Sequence, residues 1–226
     1  MNSEKFAEFE DDFSNKASAE IKKQLKKDKA DTKCYLLLSF FVPCILVGIC
    51  WIFMGVHPFG DRQILVTDFW HQYFPFANIL HGKLRSFSSL LYTWQSGLGS
   101  NFIAMMAYYA ASPLNLLTIL IPDAFLRDGI TFILLLKIGF AGLFTALFLK
   151  YTFNRNDISI CFFAVMYALC SYILGYSWNI IWIDTVALLP LVMLGTVKIV
   201  RDKKCAVYIA ALGLSLISNY YIGFLL

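Results

Sequence analysis

The chain has 226 residues, of which 59% are hydrophobic and only 15% charged, with a mean hydropathy of +0.65. Soluble domains carry about a quarter charged residues, so the composition points to a membrane protein and gives no reason to expect a nucleic-acid partner. The net charge of +4 says little as a total, because where the charges sit along the chain matters more.

Residues 1–33 mix acids (Glu8, Glu10, Asp11, Asp12) with a basic run (Lys22, Lys23, Lys26, Lys27, Lys29, Lys33) and read as a cytosolic leader, either a short helix or a tail. The first apolar run begins only at Tyr35 and has no small-residue cleavage site, so it should stay as an anchor. A spanning helix needs about 20 mainly apolar residues. Spans are expected at 35–55, 130–152, 158–176, 183–200 and 205–226, within a membrane domain covering 34–226. The last run stops at Leu226 without a following loop, which suggests a piece of a longer protein.

Residues 102–122 are apolar but carry Asn115 and a Ser112-Pro113 break. If this stretch does not cross, Lys22, Lys23, Lys26, Lys27, Lys29, Lys33, Lys150, Arg155, Lys198, Arg201, Lys203 and Lys204 fall inside. Arg62, Lys83, Arg85 and Arg127 then fall outside, twelve against four. If it does cross, the later loops invert and the count becomes seven against nine. The positive-inside rule favours the first arrangement, with a cytosolic N-terminus, a large outer segment at 56–129, and 102–122 as a re-entrant or interfacial element. The expected fold is therefore an all-α polytopic membrane protein of about five transmembrane helices. Cys34, Cys44, Cys50, Cys161, Cys170 and Cys205 lie in or beside apolar runs without CxxC spacing, and are expected as buried small apolar residues.

In this topology Trp51, Trp70, Trp94, Trp178 and Trp182 all map to the outer side. They read as an interfacial aromatic belt, or as platforms for a sugar or lipid headgroup. Asp68, His71 and Gln72 fall at i, i+3 and i+4, one face of a helix. Such a trio can take a proton, orient a hydroxyl or bind a divalent ion; an acidic helix cap is the plainer alternative. Asp184 enters an apolar helix after Trp178, Asn179 and Trp182, so it needs a partner or serves as a helix N-terminal acid. Lys137 lies roughly 9 Å into its span at 1.5 Å per residue. It should snorkel outward, pair with Asp68 or Asp184, or hold a lipid phosphate. Ser96-Gly97-Leu98-Gly99-Ser100-Asn101 permits tight turns but carries no nucleotide-loop pattern. Asn219 and Tyr220 add polar groups at the same level.

Several ordered blocks make the sequence recognisable over roughly residues 55–226. They are Asp68-Phe69-Trp70-His71-Gln72-Tyr73-Phe74-Pro75-Phe76, Ser96-Gly97-Leu98-Gly99-Ser100-Asn101-Phe102 and Ala107-Tyr108-Tyr109-Ala110-Ala111-Ser112-Pro113-Leu114-Asn115. Leu136-Lys137-Ile138-Gly139, Trp178-Asn179-Ile180-Ile181-Trp182-Ile183-Asp184 and Ser218-Asn219-Tyr220-Tyr221 continue the series. With these blocks the chain resembles the N-terminal part of the bacterial YfhO-like membrane proteins.

The resemblance implies a GT-C-type glycosyltransferase core in the bacterial plasma membrane. Such a core moves a sugar from a polyprenyl-phosphate carrier to an extracytoplasmic acceptor such as lipoteichoic acid. It implies Asp68 as the catalytic acid of the first outer loop, acting as a base, with a metal-holding role as the alternative. His71, Gln72, Lys137, Trp178, Asn179, Trp182, Asp184, Asn219 and Tyr220 are the accompanying substrate-binding candidates. Lys137 would meet the lipid phosphate, with Arg62 and Arg85 behind it. No cofactor is expected beyond a possible divalent metal; membrane lipids are expected partners. A transporter or a non-catalytic envelope-assembly scaffold are the rival readings, and the 226-residue piece is not expected to catalyse alone.

Overall fold

A computed structural model describes residues 33–225. The expected leader, apart from Lys33, lies outside the described residues. Helix α1 spans Lys33–Met54. A turn follows at 55–62, in which His57 N donates to Arg62 O and Arg62 N donates to Gly55 O. The chain then enters a π-helical turn, Phe69–Tyr73, which runs into α2 (Phe74–Arg85) with Pro75 in its first turn. Proline fits there because the first helical N–H groups have no intrahelical acceptor. A small antiparallel hairpin of β1 (Tyr92–Thr93) and β2 (Ser100–Asn101) leads to α3 (Phe102–Tyr109).

After α3 the backbone bends by 107° into a 3-10 segment, Pro113–Leu120. Proline excludes the helical conformation from the residue before it, and Ser112 accordingly sits at φ −54°, ψ 127°. Helix α4 (Leu126–Phe153) ends in a left-handed Asn154, and α5 (Ile158–Ala168) starts under an Asp157 cap that accepts from Ser159 N. The short α6 (Ser171–Gly175) completes that apolar stretch, and α7 covers Ile180–Asp202. A left-handed Lys203 turns the chain into α8 (Ala206–Ser218), followed by α9 (Tyr220–Gly223).

Among the described residues four stretches are long and apolar enough to cross a membrane, Lys33–Met54, Asp123–Phe153, Ile158–Gly175 and Ile180–Asp202, and the bent pair Phe102–Tyr109 with Pro113–Leu120 makes a fifth if it is one broken span rather than a re-entrant loop. This is an all-α polytopic membrane protein. The expected continuous helix from 205 to the end is not formed. Asn219 adopts an extended conformation (φ −160°, ψ 104°), ends α8 at Ser218, and caps α9 by accepting from Ile222 N at 3.0 Å.

Helices α1, α4, α5 and α7 pack around a core containing Val47, Leu134, Ile138, Ala141, Ala168, Ile183 and Ala187, and α8 packs against α7. Small residues allow the closest approaches, as in membrane helix pairs generally. Any side chain at Gly142 of α4 would strike the Ser39 carbonyl of α1. Phe69 and Tyr73 of the π-turn plug one end of this core. That end also receives α2, the hairpin and the bent 102–120 element, whereas Lys150, Arg155, Arg201, Lys203 and Lys204 gather at the other end. Cys161 is buried as expected, but Cys34, Cys50 and Cys205 are exposed on the bundle surface, where membrane-facing thiols need no burial inside protein.

Candidate functional site

Asp68 is the first candidate to place. Thr67, immediately before it, has φ +48°, and His71 N donates to Thr67 O at 3.2 Å. A β-branched residue in the left-handed region is strained by about 1–3 kcal/mol, and such strain persists only where surrounding packing enforces it. Here the enforcement comes from Phe69, fully buried, and Tyr73, nearly so, which anchor the π-turn from both ends. π-Turns are rare and occur often at functional sites.

Asp68 itself is half-buried and makes no side-chain cap bond. At this end of the bundle Asp128 pairs with His57 at 2.6 Å, Asp123 with His81 at 2.7 Å and Asp184 with Lys137 at 2.7 Å. Among the described residues Asp68 has no such partner, and only the exposed Asp61 of the 55–62 turn is in the same position. Burial, reinforced by the nearby Asp68 charge, pushes the Tyr73 phenol up to about 12.

The shared helical face expected for Asp68, His71 and Gln72 is altered. A π-turn takes in more residues than an α-turn, which carries i+3 away from i while leaving i+4 nearby. His71 is exposed, whereas Gln72 and Asp68 are half-buried.

Lys137 and Asp184 form the centre of a second group. Lys137 is 2% and Asp184 6% exposed. The ammonium donates to Asp184 Oδ2 at 2.7 Å and to the Ile180 carbonyl at 3.0 Å, and Asp184 Oδ1 accepts from Ser112 Oγ at 2.9 Å. Of the partners the sequence left open for Lys137, the structure forms Asp184. Snorkelling is not needed, because two donors are satisfied in place. The pair ties α4 to α7, and Ser112 ties both to the elbow of the 102–120 element. A narrow crevice separates the buried side of the π-turn from the pair: Phe69, Tyr73, Tyr109, Ser112, Lys137 and Asp184 line it, and Asp68 lies outside that lining.

The remaining candidates separate. Asn219 is fully buried and committed within the fold, donating to the Tyr108 carbonyl at 3.2 Å and accepting from Ile222 N. Tyr220 is 55% exposed and meets Tyr108 edge to face at 5.8 Å. Trp178 lines a different cleft, against α1. Asn179 Oδ1 and Trp182 Nε1 are buried without a hydrogen-bond partner, beside the start of α7.

Sequence reasoning missed Ser112, Tyr73, Tyr109 and two histidine clasps. His81, 1% exposed, has Nδ1 3.0 Å from the Thr118 carbonyl and Nε2 2.7 Å from Asp123 Oδ1. The ring thus bridges the 3-10 segment and the turn that precedes α4, and fastens α2 to both. Tyr73, Tyr109 and Ser112 stood in the ordered family blocks but were given no role, and nothing local marked the histidines. Among the described residues, no three His, Cys, Asp or Glu side chains come together to hold a metal ion.

Comparison with known proteins gives one match. The model of a family described as bacterial membrane protein YfhO covers residues 39–226. No curated protein and no solved structure matches the chain.

Proposed function

The chain belongs to the YfhO family of bacterial membrane proteins, and from that premise we propose that it is part of a glycosyltransferase working at the outer face of the bacterial plasma membrane. The donor is a sugar on a polyprenyl-phosphate carrier and the acceptor is a hydroxyl of an envelope polymer such as lipoteichoic acid. The N-terminus is cytosolic, which puts the Asp68 end of the bundle outside and the Lys150, Arg155, Arg201, Lys203 and Lys204 end inside, in keeping with the positive-inside rule.

One observation carries the reading: Asp68 is an ordered, half-buried carboxylate that the fold leaves without a partner. A carboxylate used only for structure would be expected to be paired, as Asp123, Asp128 and Asp184 are. Asp68 acts as the general base. It takes the proton of the acceptor hydroxyl, whose oxygen attacks the anomeric carbon while the bond to the carrier phosphate breaks toward the phosphate. General-base assistance of this kind contributes about 10²–10⁴-fold. Gln72 lies on the same side of the turn to orient the acceptor. Lys137 and Asp184 act as positioning residues: their charges are matched to each other, and they hold the wall of the crevice behind Tyr73.

The test is transfer from a radiolabelled polyprenyl-phosphate hexose in membranes containing the protein. Asp68→Asn should lower transfer by about 10²-fold or more while leaving expression and thermal unfolding unchanged, since no bond is lost. Full activity in that variant would remove the base and leave the scaffold reading.

A further inference from the structure

A cleft of about 530 Å³ opens between α1 and the α5–α6 stretch, away from the Lys137–Asp184 crevice. Its floor is apolar: Leu46, Val47 and Cys50 of α1 face Leu169 and Leu174, with Ile138 behind. From Leu46 to Met54 the α1 wall runs about 12 Å at 1.5 Å per residue. The upper rim is different in kind. Trp51 and Trp178 stand there, with Arg62, Gln63 and Ser177 above them.

Arg62 is held by its backbone, through the paired bonds to Gly55 and His57, while its exposed guanidinium has no partner among the described residues. The 55–62 turn that carries it is fastened to α4 by the His57–Asp128 pair at 2.6 Å. Among the described residues no carboxylate lines the cleft; the neighbouring Asp61 is not part of it. An apolar channel at the end of a transmembrane helix, a rim of interfacial tryptophans and one free cation above them match an acyl chain, a glycerol backbone and a phosphate in that order.

We propose that this cleft binds one anionic glycerophospholipid of the surrounding membrane, with an acyl chain along α1 and its headgroup phosphate on Arg62. The free positive charge is what selects an anionic headgroup over a zwitterionic one. The site is separate from the transfer reading, and its test involves no transfer.

The protein is reconstituted in phosphatidylcholine vesicles containing either phosphatidylglycerol or phosphatidylcholine brominated in the acyl chain, and tryptophan quenching is measured. Bromine in the cleft lies against Trp51 and Trp178. Phosphatidylglycerol should occupy the cleft with about five-fold preference, the ratio one interfacial arginine supplies. Arg62→Gln should reduce quenching to that of brominated phosphatidylcholine, and Arg62→Lys should keep much of the preference. As a measurement needing no variant, about 1 M salt should remove the preference in the unaltered protein, because the Debye length falls to about 3 Å. Equal quenching by the two lipids, or a preference that survives Arg62→Gln, would overturn the proposal. So would displacement of the brominated lipid by a trace of polyprenyl phosphate, which would make the cleft a carrier site.

Discussion

Removing one member of the Lys137–Asp184 pair should cost far more than removing both in compensation. In Lys137→Met, Asp184 stays 6% exposed and keeps only the Ser112 hydroxyl at 2.9 Å. In Asp184→Asn, the ammonium keeps the Ile180 carbonyl at 3.0 Å but loses its counter-charge. Leaving a buried charge uncompensated costs about 3–5 kcal/mol. Two such losses would sum to about 6–10 kcal/mol if the residues were independent. The double variant buries no unpaired charge, and its asparagine can still accept from Ser112. It should therefore be more stable than that sum by at least about 2 kcal/mol. Interhelical polar contacts in membranes usually couple by about 0.6 kcal/mol, because the unfolded chain also finds partners. The larger value expected here reflects formal charges rather than neutral dipoles. The assay is reversible unfolding in mixed detergent–SDS micelles, followed by helical circular dichroism for the four proteins. Additivity within about 0.5 kcal/mol would mean that the two side chains do not act as a pair.

Two further outcomes follow from the π-turn. The Tyr73 phenol, pushed up to about 12 by burial and by Asp68, lies above the unfolded value of about 10. Its contribution to stability is complete below pH 10 and is lost as pH rises from about 10 to about 12. Tyr73→Phe should flatten that part of the alkaline unfolding profile, and Asp68→Asn should move the Tyr73 titration toward the ordinary value. Thr67→Gly removes a strained φ of +48° and should raise stability by about 1 kcal/mol. It should also loosen the placement of Asp68, so transfer should fall while the thermal midpoint rises; a fall in both would show that the strain is not local.

Long apolar runs made α1, α4 and α7 legible in the sequence to within a few residues, because a spanning helix needs length more than any particular side chain. That Lys137 could pair with Asp68 or Asp184 was legible too, beside snorkelling outward or holding a lipid phosphate, because charge in an apolar bundle needs a partner or water. Which anion was not legible, since Asp68 and Asp184 both lay on the expected side. Ser112 was out of reach, because its role depends on a 107° bend that brings it to a helix about 70 residues later. The face shared by Asp68 and His71 was misread because an α-helical period was applied to a turn that is π-helical. Asn219 looked like a polar residue inside a span; its extended backbone instead ends α8, and its side chain caps the start of α9.

Helix α4 has 28 residues, and at 1.5 Å per residue it is about 42 Å long. A hydrocarbon layer of about 30 Å could contain it only at a tilt steeper than about 40°, beyond the usual range for membrane helices. Part of α4 therefore stands clear of the hydrocarbon, and its first turn carries Asp128, the anchor of the 55–62 turn. The height of that turn above the lipid depends on bilayer thickness. A thicker membrane would draw the start of α2 down toward the headgroups, and a thinner one would lift it into water. Lipid composition can thus tune how far Asp68 stands from the headgroup layer.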